Sequence, residues 1–125
     1  MLPPLANLVA LLESYPQIRD IRVTEYEVQE GKVWLLKLRC MLPKGYQLQI
    51  RLRLREETIE YSYQLFRERP FLRWDNAPHH PNLENFPHHF HNEEDVKYPS
   101  ALKGVPLDDL KLVLEKVIEF VERHP

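Results

Sequence analysis

The chain has little of two residue types that many functional sites need. It contains one cysteine and three glycines in 125 residues. The single cysteine, Cys40, excludes an internal disulfide and a zinc site built from several cysteines. Three scattered glycines exclude a glycine-rich loop that would hold nucleotide phosphates. We therefore interpret Cys40 as a small apolar residue of the core.

Long apolar runs are also absent. None approaches the roughly 20 residues that a membrane-spanning helix needs. No positively charged stretch precedes the leucines at the N-terminus, so this region does not resemble a signal peptide. The length and composition fit a single domain over residues 1–125. We expect a cytoplasmic protein without a membrane partner.

The net charge is only −2, but the charges are unevenly distributed. Residues 32–73 carry ten Lys and Arg against four Glu, which leaves +6 in this part and −8 in the rest of the chain. A basic middle between acidic flanks favours a surface that meets an anion or an acidic partner. The alternative is that Arg and Lys merely keep exposed strand faces soluble.

Hydrophobic spacing predicts two helices and about five strands. Apolar residues three and four apart indicate one helix over residues 3–14 and another from Pro106 to about Val121. Residues 76–104 have no sustained period and are predicted to form a long irregular loop. We predict an α+β fold, a curved antiparallel sheet of about five strands with an N-terminal and a C-terminal helix packed on one face. Alternation of apolar and polar residues places the strands over residues 18–28, 32–42, 46–55, 58–65 and 71–75.

Two of these strands specify their own pairing. If Glu56 and Glu57 form a two-residue turn, apolar residues face apolar residues, and polar residues face polar residues, along both strands. A Glu-Glu turn lacks the Asn-Gly or Gly preference of tight hairpins, so a longer loop with a bulge is the alternative. The predicted opposite pairs are Leu54–Ile59, Leu52–Tyr61, Ile50–Tyr63, Leu48–Leu65, Arg53–Glu60, Arg51–Ser62 and Gln49–Gln64.

The predicted loop contains the most unusual feature of the sequence. Five of the six histidines fall within residues 79–91, and histidine gains or loses a proton near neutral pH more readily than other side chains. Because neighbouring side chains of an extended segment point in opposite directions, at most one member of each adjacent pair can face a common site. Two residues apart, His89 and His91 can share one side. The five are His79, His80, His88, His89 and His91.

Acid–base catalysis is the first chemistry that these histidines suggest. Cleavage of RNA without a metal needs a base that takes the 2′-hydroxyl proton and an acid that protonates the leaving oxygen, and two histidines can do both. Nearby Arg side chains would neutralise charge on the phosphate, and aromatic side chains would stack on unpaired bases. The candidates for these two roles are Arg51, Arg53, Arg55, Arg73, Trp74, Phe86, Phe90 and Tyr98.

Two other interpretations of the histidines remain open. Together with Asp75 they could hold zinc, nickel or manganese, although the spacing matches no specific metal signature. Alternatively, they could be structural residues that cap turns or bond to backbone carbonyls. The structural interpretation is the better one for any single histidine and the weaker one for all five together.

The segment around the histidines resembles the motif of a known family. Residues 73–80 read Arg-Trp-Asp-Asn-Ala-Pro-His-His, and residues 86–91 read Phe-Pro-His-His-Phe-His. These are similar to the signature of the TumE-like toxins of bacterial and archaeal toxin–antitoxin modules, Arg-Tyr-Asp-Asn-Ala-Pro-His-His followed by Phe-Pro-His-His-Lys-His. The chain departs from that signature at Trp74, which remains aromatic, and at Phe90, which replaces a positive charge. The size, the strands before the motif and the helix after it are also similar, so the resemblance covers most of the chain.

The resemblance implies a small toxin that a cognate helix-turn-helix antitoxin neutralises. It supplies no firm mechanism, although toxins of this size often cleave RNA. The positions that match the family motif are Asp75, Asn76, His79, His80, His88, His89 and His91.

The leading hypothesis is a ribonuclease-like toxin that acts on an RNA substrate without an obligatory metal cofactor. His89 or His91 would act as base or acid with another clustered histidine as partner. Asp75 would orient a histidine, and Arg73 would bind phosphate. The predicted catalytic residues are Asp75, His79, His80, His88, His89 and His91, and the predicted substrate-binding residues are Arg51, Arg53, Arg73, Trp74, Asn76, Phe86 and Phe90.

Three alternatives belong to other classes. The chain could be a non-catalytic module that binds nucleic acid or an acidic protein, and its binding would then depend on salt without turnover. It could be a metal-dependent nuclease with a divalent ion at the histidines. It could also act on a different substrate, such as a nucleotide. Exposed sheet edges would in addition allow a homodimer.

Overall fold

The structure is a computed structural model that describes residues 1–125. Helix α1 (Leu5–Glu13) lies near the N-terminus and helix α2 (Pro106–Arg123) near the C-terminus. A short 3-10 turn, Pro43–Gly45, joins the second and third strands. The seven strands are β1 (Arg19–Gln29), β2 (Lys32–Met41), β3 (Gln47–Arg55), β4 (Thr58–Phe66), β5 (Pro70–Asp75), β6 (His89–His91) and β7 (Lys97–Pro99).

All seven strands form one antiparallel sheet, in which each strand pairs with its neighbours in the sequence. The α+β class is confirmed, but the prediction of about five strands is wrong. The two additional strands, β6 and β7, lie within the segment predicted to be an irregular loop. Each has three residues, which are too few for an alternation of period two to be recognised in the sequence.

The hairpin of β3 and β4 has the predicted register. All seven predicted pairs lie opposite one another. Glu56 and Glu57 form the connection, because Arg55 pairs directly with Thr58. Glu56 adopts a φ of 57°, a left-handed conformation that favours glycine. The apolar pairs along the two strands therefore set the register despite an unfavourable turn residue.

One face of the sheet packs against both helices and forms the core. Cys40 lies in this core and is 1% exposed. Its burial raises the pKa of the thiol to about 12, so the thiol stays protonated and its interpretation as an apolar core residue is confirmed. The core residues of the helices are Leu8, Leu12, Leu110, Val113, Leu114, Val117, Phe120 and Val121, and they share one cluster with Leu36, Leu38, Leu48, Ile50, Leu52, Tyr63 and Leu65 of the sheet.

The opposite side of the sheet, which we call the open face, presents polar side chains. Residues that pair across antiparallel strands point to the same face, so they form rows perpendicular to the strands. Two neighbouring rows end at the histidine-rich segment. The first contains Lys37, Arg51, Ser62, Asp75 and His89, and the second contains Arg39, Gln49, Gln64, Arg73, His91 and Lys97.

Strands β1 and β7 form the two edges of the sheet. Nearly all of β1 is exposed, and an unpaired edge offers backbone groups that a second chain can pair with. A homodimer through such an edge stays a prediction. None of the helices combines the length and the apolar character that crossing a membrane would require.

Candidate functional site

Strands β5 and β6 bring four polar side chains together on the open face. Asp75 lies opposite His89, and Arg73 lies opposite His91. Because side chains alternate along each strand, all four point to the same side of the sheet. The two histidines that the spacing placed on one side do share it.

Asp75 is the charge around which this group is arranged. Its side chain is 6% exposed, and its Oδ2 accepts a hydrogen bond from Nε of Arg73 at 2.8 Å. Its Oδ1 accepts the backbone N–H of Ala77 at 3.0 Å and lies 2.9 Å from Nε2 of His89. A carboxylate this deeply buried is stable only with such partners. Asp75 thus ties the end of β5 to β6.

His89 is held from both sides of its ring. Its side chain is 3% exposed. Nδ1 donates to the carbonyl oxygen of Pro87 at 3.0 Å. A carbonyl only accepts, so this bond places a hydrogen on Nδ1 and directs Nε2 towards Asp75.

His91 has the same arrangement with a different acceptor. Its Nδ1 donates to Oδ1 of Asp95 at 2.9 Å. Hydrogen bonds from His91 and Lys97 lower the pKa of Asp95. Nε2 of His91 is buried without a hydrogen-bond partner, and Oδ2 of Asp75 lies 3.5 Å from it. A buried polar atom without a partner is uncommon and calls for an explanation.

His80 completes a group of three histidines, which we call the histidine triad (His80, His89 and His91). The ring of His80 lies 4.8 Å from that of His89 and 6.1 Å from that of His91, centre to centre. One ring nitrogen from each of the three lies within 4.8 Å of the others. His79 is exposed, its ring centre lies 6.4 Å from that of His80, and it is not part of the triad.

The triad lies in a pocket of about 540 Å³ on the open face. This volume is in the range of small-molecule sites. Half-buried and exposed charged groups surround the opening, so an anionic ligand could meet both the histidines and the arginines. The pocket is lined among others by Arg69, Arg73, Asp75, His79, His80 and Asp95.

His88 lies on the other side of the sheet. Its Nδ1 lies 2.8 Å from the hydroxyl of Tyr61, and the two rings are stacked. Burial lowers the pKa of His88 and raises that of Tyr61, so both side chains stay neutral and share one hydrogen bond. The structure does not bring His88 to the triad, as expected for the neighbour of His89 in a strand.

The same region contains a buried carboxylate that supports the loop before α2. Asp109 is 1% exposed, and its two oxygens accept the backbone N–H groups of Lys103 and Gly104 at 2.9 and 2.7 Å. Gly104 has a φ of 87°, and a side chain there would meet His88 at 3.4 Å. Asp109 therefore holds a tight turn against the segment that carries His88.

Replacing Asp109 with asparagine is expected to lower the free energy of unfolding by about 2–3 kcal/mol, because the amide group can accept only one of the two backbone N–H groups. Urea denaturation followed by circular dichroism measures the change. Asp108→Asn is the matched control, since Asp108 is exposed in the same helical turn. An equal loss in both variants would show that the helix dipole, rather than these two hydrogen bonds, carries the effect.

The aromatic residues predicted to stack on bases lie in different places. Trp74 is 6% exposed, and its ring lies 4.9 Å from that of Phe90 on the helix side of the sheet. Both line a second, mainly apolar pocket of about 400 Å³ beside α2. Phe86 and Tyr98 are exposed. The second pocket also has charged side chains and His124 in its lining, but the histidine pocket is the one that gathers several histidines around a buried carboxylate.

The side-chain amide of Asn76 forms hydrogen bonds with the backbone of β4. Its Oδ1 accepts the N–H of Tyr61 at 2.9 Å, and its Nδ2 donates to the carbonyl of Ile59 at 2.8 Å. The amide thus extends the pairing of β4 with β5 by one step. These bonds give Asn76 a structural role, and its role in substrate binding stays a prediction.

The basic strand β3 approaches the histidine pocket through Arg51 and Arg55. Both line a small pocket together with Arg73 and Asp75, and the latter two also line the histidine pocket. Arg53 lies on the same strand, where its guanidinium is 5.8 Å from the ring centre of Trp34. Of the two β3 arginines predicted to bind substrate, Arg51 is therefore the better placed.

Sequence reasoning missed Asp95, Pro87 and Asp109 as parts of this region. Asp95 follows His91 by four residues, a spacing that has no meaning outside a helix. Pro87 contributes a backbone carbonyl, which no residue pattern reveals. Asp109 lies in the first turn of α2, where the helix dipole by itself favours a negative charge, so the sequence gives no sign that this carboxylate is buried.

Comparison with known proteins gives one match. The model of the family described as toxin TumE matches residues 8–124 of the chain. No curated protein and no solved structure matches. Because the match covers nearly the whole chain, the protein belongs to the TumE toxin family. It is the toxin component of a toxin–antitoxin module, and its partner is an antitoxin.

Proposed function

We propose that this member of the TumE toxin family is a ribonuclease and that the pocket containing the histidine triad is its catalytic centre. The observation that carries the proposal is the convergence of His80, His89 and His91 on the buried carboxylate of Asp75. Titratable side chains that cluster in a pocket around one buried carboxylate are characteristic of active sites.

The open face supports an anionic, extended substrate. Its two rows carry five cationic side chains and lead from β2 to β7. Neighbouring strands are about 4.8 Å apart, so the three steps from Arg51 to His89 span roughly 14 Å. Such a track can hold several phosphates of a single strand while one phosphate enters the histidine pocket. These cations are Lys37, Arg39, Arg51, Arg73 and Lys97.

The proposed reaction is an internal transfer at phosphorus. The 2′-oxygen forms a bond to the adjacent phosphorus, and the bond from phosphorus to the 5′-oxygen breaks. A base takes the 2′-hydroxyl proton, and an acid gives a proton to the departing 5′-oxygen. The products are a 2′,3′-cyclic phosphate and a 5′-hydroxyl. No water or external reactant is consumed.

The burial of each histidine suggests which of them contact the substrate and which position other side chains. His89 is almost inaccessible and is bound on both sides, so it positions Asp75 rather than meeting the substrate. His79 and His80 line the opening of the histidine pocket. An imidazole there can reach a 2′-hydroxyl or a leaving oxygen of the substrate. Arg73 remains 43% exposed and can contact the phosphate while it holds Asp75.

The partner and the compartment are also part of the proposal. We infer a helix-turn-helix antitoxin that blocks the open face, and action in the cytoplasm, where RNA is accessible. Co-expression with the proposed helix-turn-helix antitoxin should restore growth. The bound antitoxin should also protect His80 in the pocket from modification by diethyl pyrocarbonate. Restored growth with an unprotected pocket would contradict blocking at this face.

Replacing His80 with alanine tests the catalytic centre. Proton transfer by a positioned side chain contributes about 10²–10⁴-fold, so RNA cleavage by the purified variant is expected to fall at least about 100-fold. Expression without antitoxin should then no longer arrest growth. Gel analysis of an RNA oligonucleotide and of total RNA measures both results, and the ends of the products report the cyclic phosphate.

Lys111→Ala is the matched control, because Lys111 is exposed on α2, far from the open face. It should keep full toxicity at equal expression. Growth arrest by the His80→Ala variant with a folded protein would overturn the assignment of the centre. Growth arrest with intact RNA in the unmodified protein would instead favour the binding-module alternative.

A further inference from the structure

The ring nitrogens of the histidine triad and the carboxylate of Asp75 face one another in a way that requires protons or a metal ion between them. Nδ1 of His89 and Nδ1 of His91 each donate to an oxygen, so in the neutral rings both Nε2 atoms carry lone pairs. These lone pairs face Asp75, whose oxygens lie 2.9 Å from the first and 3.5 Å from the second. Electron-rich atoms at such distances repel each other unless protons or a metal ion lie among them.

We propose that the histidine triad and Asp75 bind one divalent transition-metal ion. The inference deepens the proposed function, because it concerns the same pocket, but metal binding does not depend on RNA being the substrate. The ligands are Nε2 of His89, Nε2 of His91, a ring nitrogen of His80 and Oδ1 of Asp75.

The spacing of the ligand atoms fits an ion with ordinary bond lengths. Metal–nitrogen and metal–oxygen bonds of about 2.0–2.2 Å place neighbouring ligands about 2.9 Å apart in an octahedron and about 3.3 Å apart in a tetrahedron. The contact of Oδ1 of Asp75 with Nε2 of His89, at 2.9 Å, already has such a value, whereas the 3.5 Å contact of His91 is with Oδ2. The three ring nitrogens lie up to 4.8 Å apart, so they need to approach by up to about 1.5 Å for a tetrahedral ion. His80 lies outside the strands, so its ring can make this adjustment.

The surroundings of the ligands also fit a metal centre. A histidine that binds a metal usually donates its other ring N–H to a carbonyl or carboxylate, which fixes the ring. His89 does so to Pro87 and His91 does so to Asp95. The ion would also give Nε2 of His91 the partner that it lacks. Arg73 occupies Oδ2 of Asp75 and leaves Oδ1 available.

The chemistry of the ligands indicates the class of ion. Three imidazoles favour zinc, nickel, copper or iron over magnesium, which prefers oxygen ligands. With the metal bound, His80 becomes a ligand and His79 is the remaining imidazole at the rim. The ion would then stabilise negative charge on the phosphate.

The test uses the purified, chelator-treated full chain and measures binding of Zn²⁺ alone by calorimetry. One equivalent per chain and a rise in Tm of several degrees are expected, because an ion that binds only the folded state stabilises it. Mg²⁺ at the same concentration should give no shift. Co²⁺ should give visible absorption bands typical of nitrogen ligands.

Three variants locate the site. His91→Ala should weaken Zn²⁺ binding at least about 100-fold, and Asp95→Ala about 10–100-fold through loss of the supporting hydrogen bond. The matched control His79→Ala, from the same segment, should bind Zn²⁺ as the unmodified chain does. Circular dichroism of each variant confirms folding.

The results of the Zn²⁺-binding and RNA-cleavage measurements distinguish failure of the metal site from failure of the ribonuclease proposal. Absence of stoichiometric Zn²⁺ binding, or an equal loss in His79→Ala and His91→Ala, would overturn the metal site. If the chain binds no Zn²⁺ but still cleaves RNA in excess chelator, the metal site is overturned and the ribonuclease proposal stands. Zn²⁺ binding without RNA cleavage would sustain the metal site and overturn the ribonuclease.

Discussion

Replacing Asp75 with alanine is expected to lower the free energy of unfolding by about 3 kcal/mol, because the change leaves a guanidinium and two buried polar groups without their acceptor. The groups affected are the guanidinium of Arg73, the backbone N–H of Ala77 and the ring of His89. The change should also abolish growth arrest, since it removes the carboxylate on which the histidines converge. Urea denaturation and growth after induction measure the two effects.

Asp95→Ala is the control for this prediction. Asp95 also binds a triad histidine, but its side chain is 75% exposed. Exposed ion pairs contribute about 1 kcal/mol or less, so this variant should remain nearly as stable as the unmodified chain. Equal destabilisation by both substitutions would contradict the claim that the contacts of Asp75 stabilise the fold strongly because they are buried.

Replacing Ile50 with alanine is expected to lower the free energy of unfolding by about 2–5 kcal/mol, the usual cost of removing a buried aliphatic side chain. Ile50 is fully buried in β3 and belongs to the cluster that both helices share. The substitution should leave the ligand geometry of the open face unchanged, so Zn²⁺ binding at low temperature should persist. Thermal unfolding and calorimetry measure the two properties.

Gln49→Ala is the control on the opposite side of the same strand. Gln49 points to the open face and accepts a hydrogen bond from Arg39 at 2.8 Å. Loss of one exposed hydrogen bond should cost less than about 1 kcal/mol. A larger effect at Gln49 than at Ile50 would contradict the assignment of the core to the helix side.

The sequence was sufficient for the elements whose signals are local. The register of β3 with β4 follows from seven matched pairs, because a shift by one residue would turn every apolar side chain to the wrong face. The helical stripe of α2 and the core position of Cys40 follow in the same way. The motif of residues 73–91 identified the family, since residue types at fixed spacing are visible without any structure.

The composition of the histidine pocket was decided by long-range contacts. Alternation of side chains allows only one histidine of each adjacent pair to face the site, but it does not determine which one. Pairing of β5 with β6 selected His89 over His88, and the path of residues 76–88 brought His80 rather than His79 to the triad. That path is held by the side chains of Asn76, which bonds to the backbone of β4, and Asn85, which donates to the carbonyl oxygens of Ser100 and Leu102. Such contacts leave no periodic trace in the sequence.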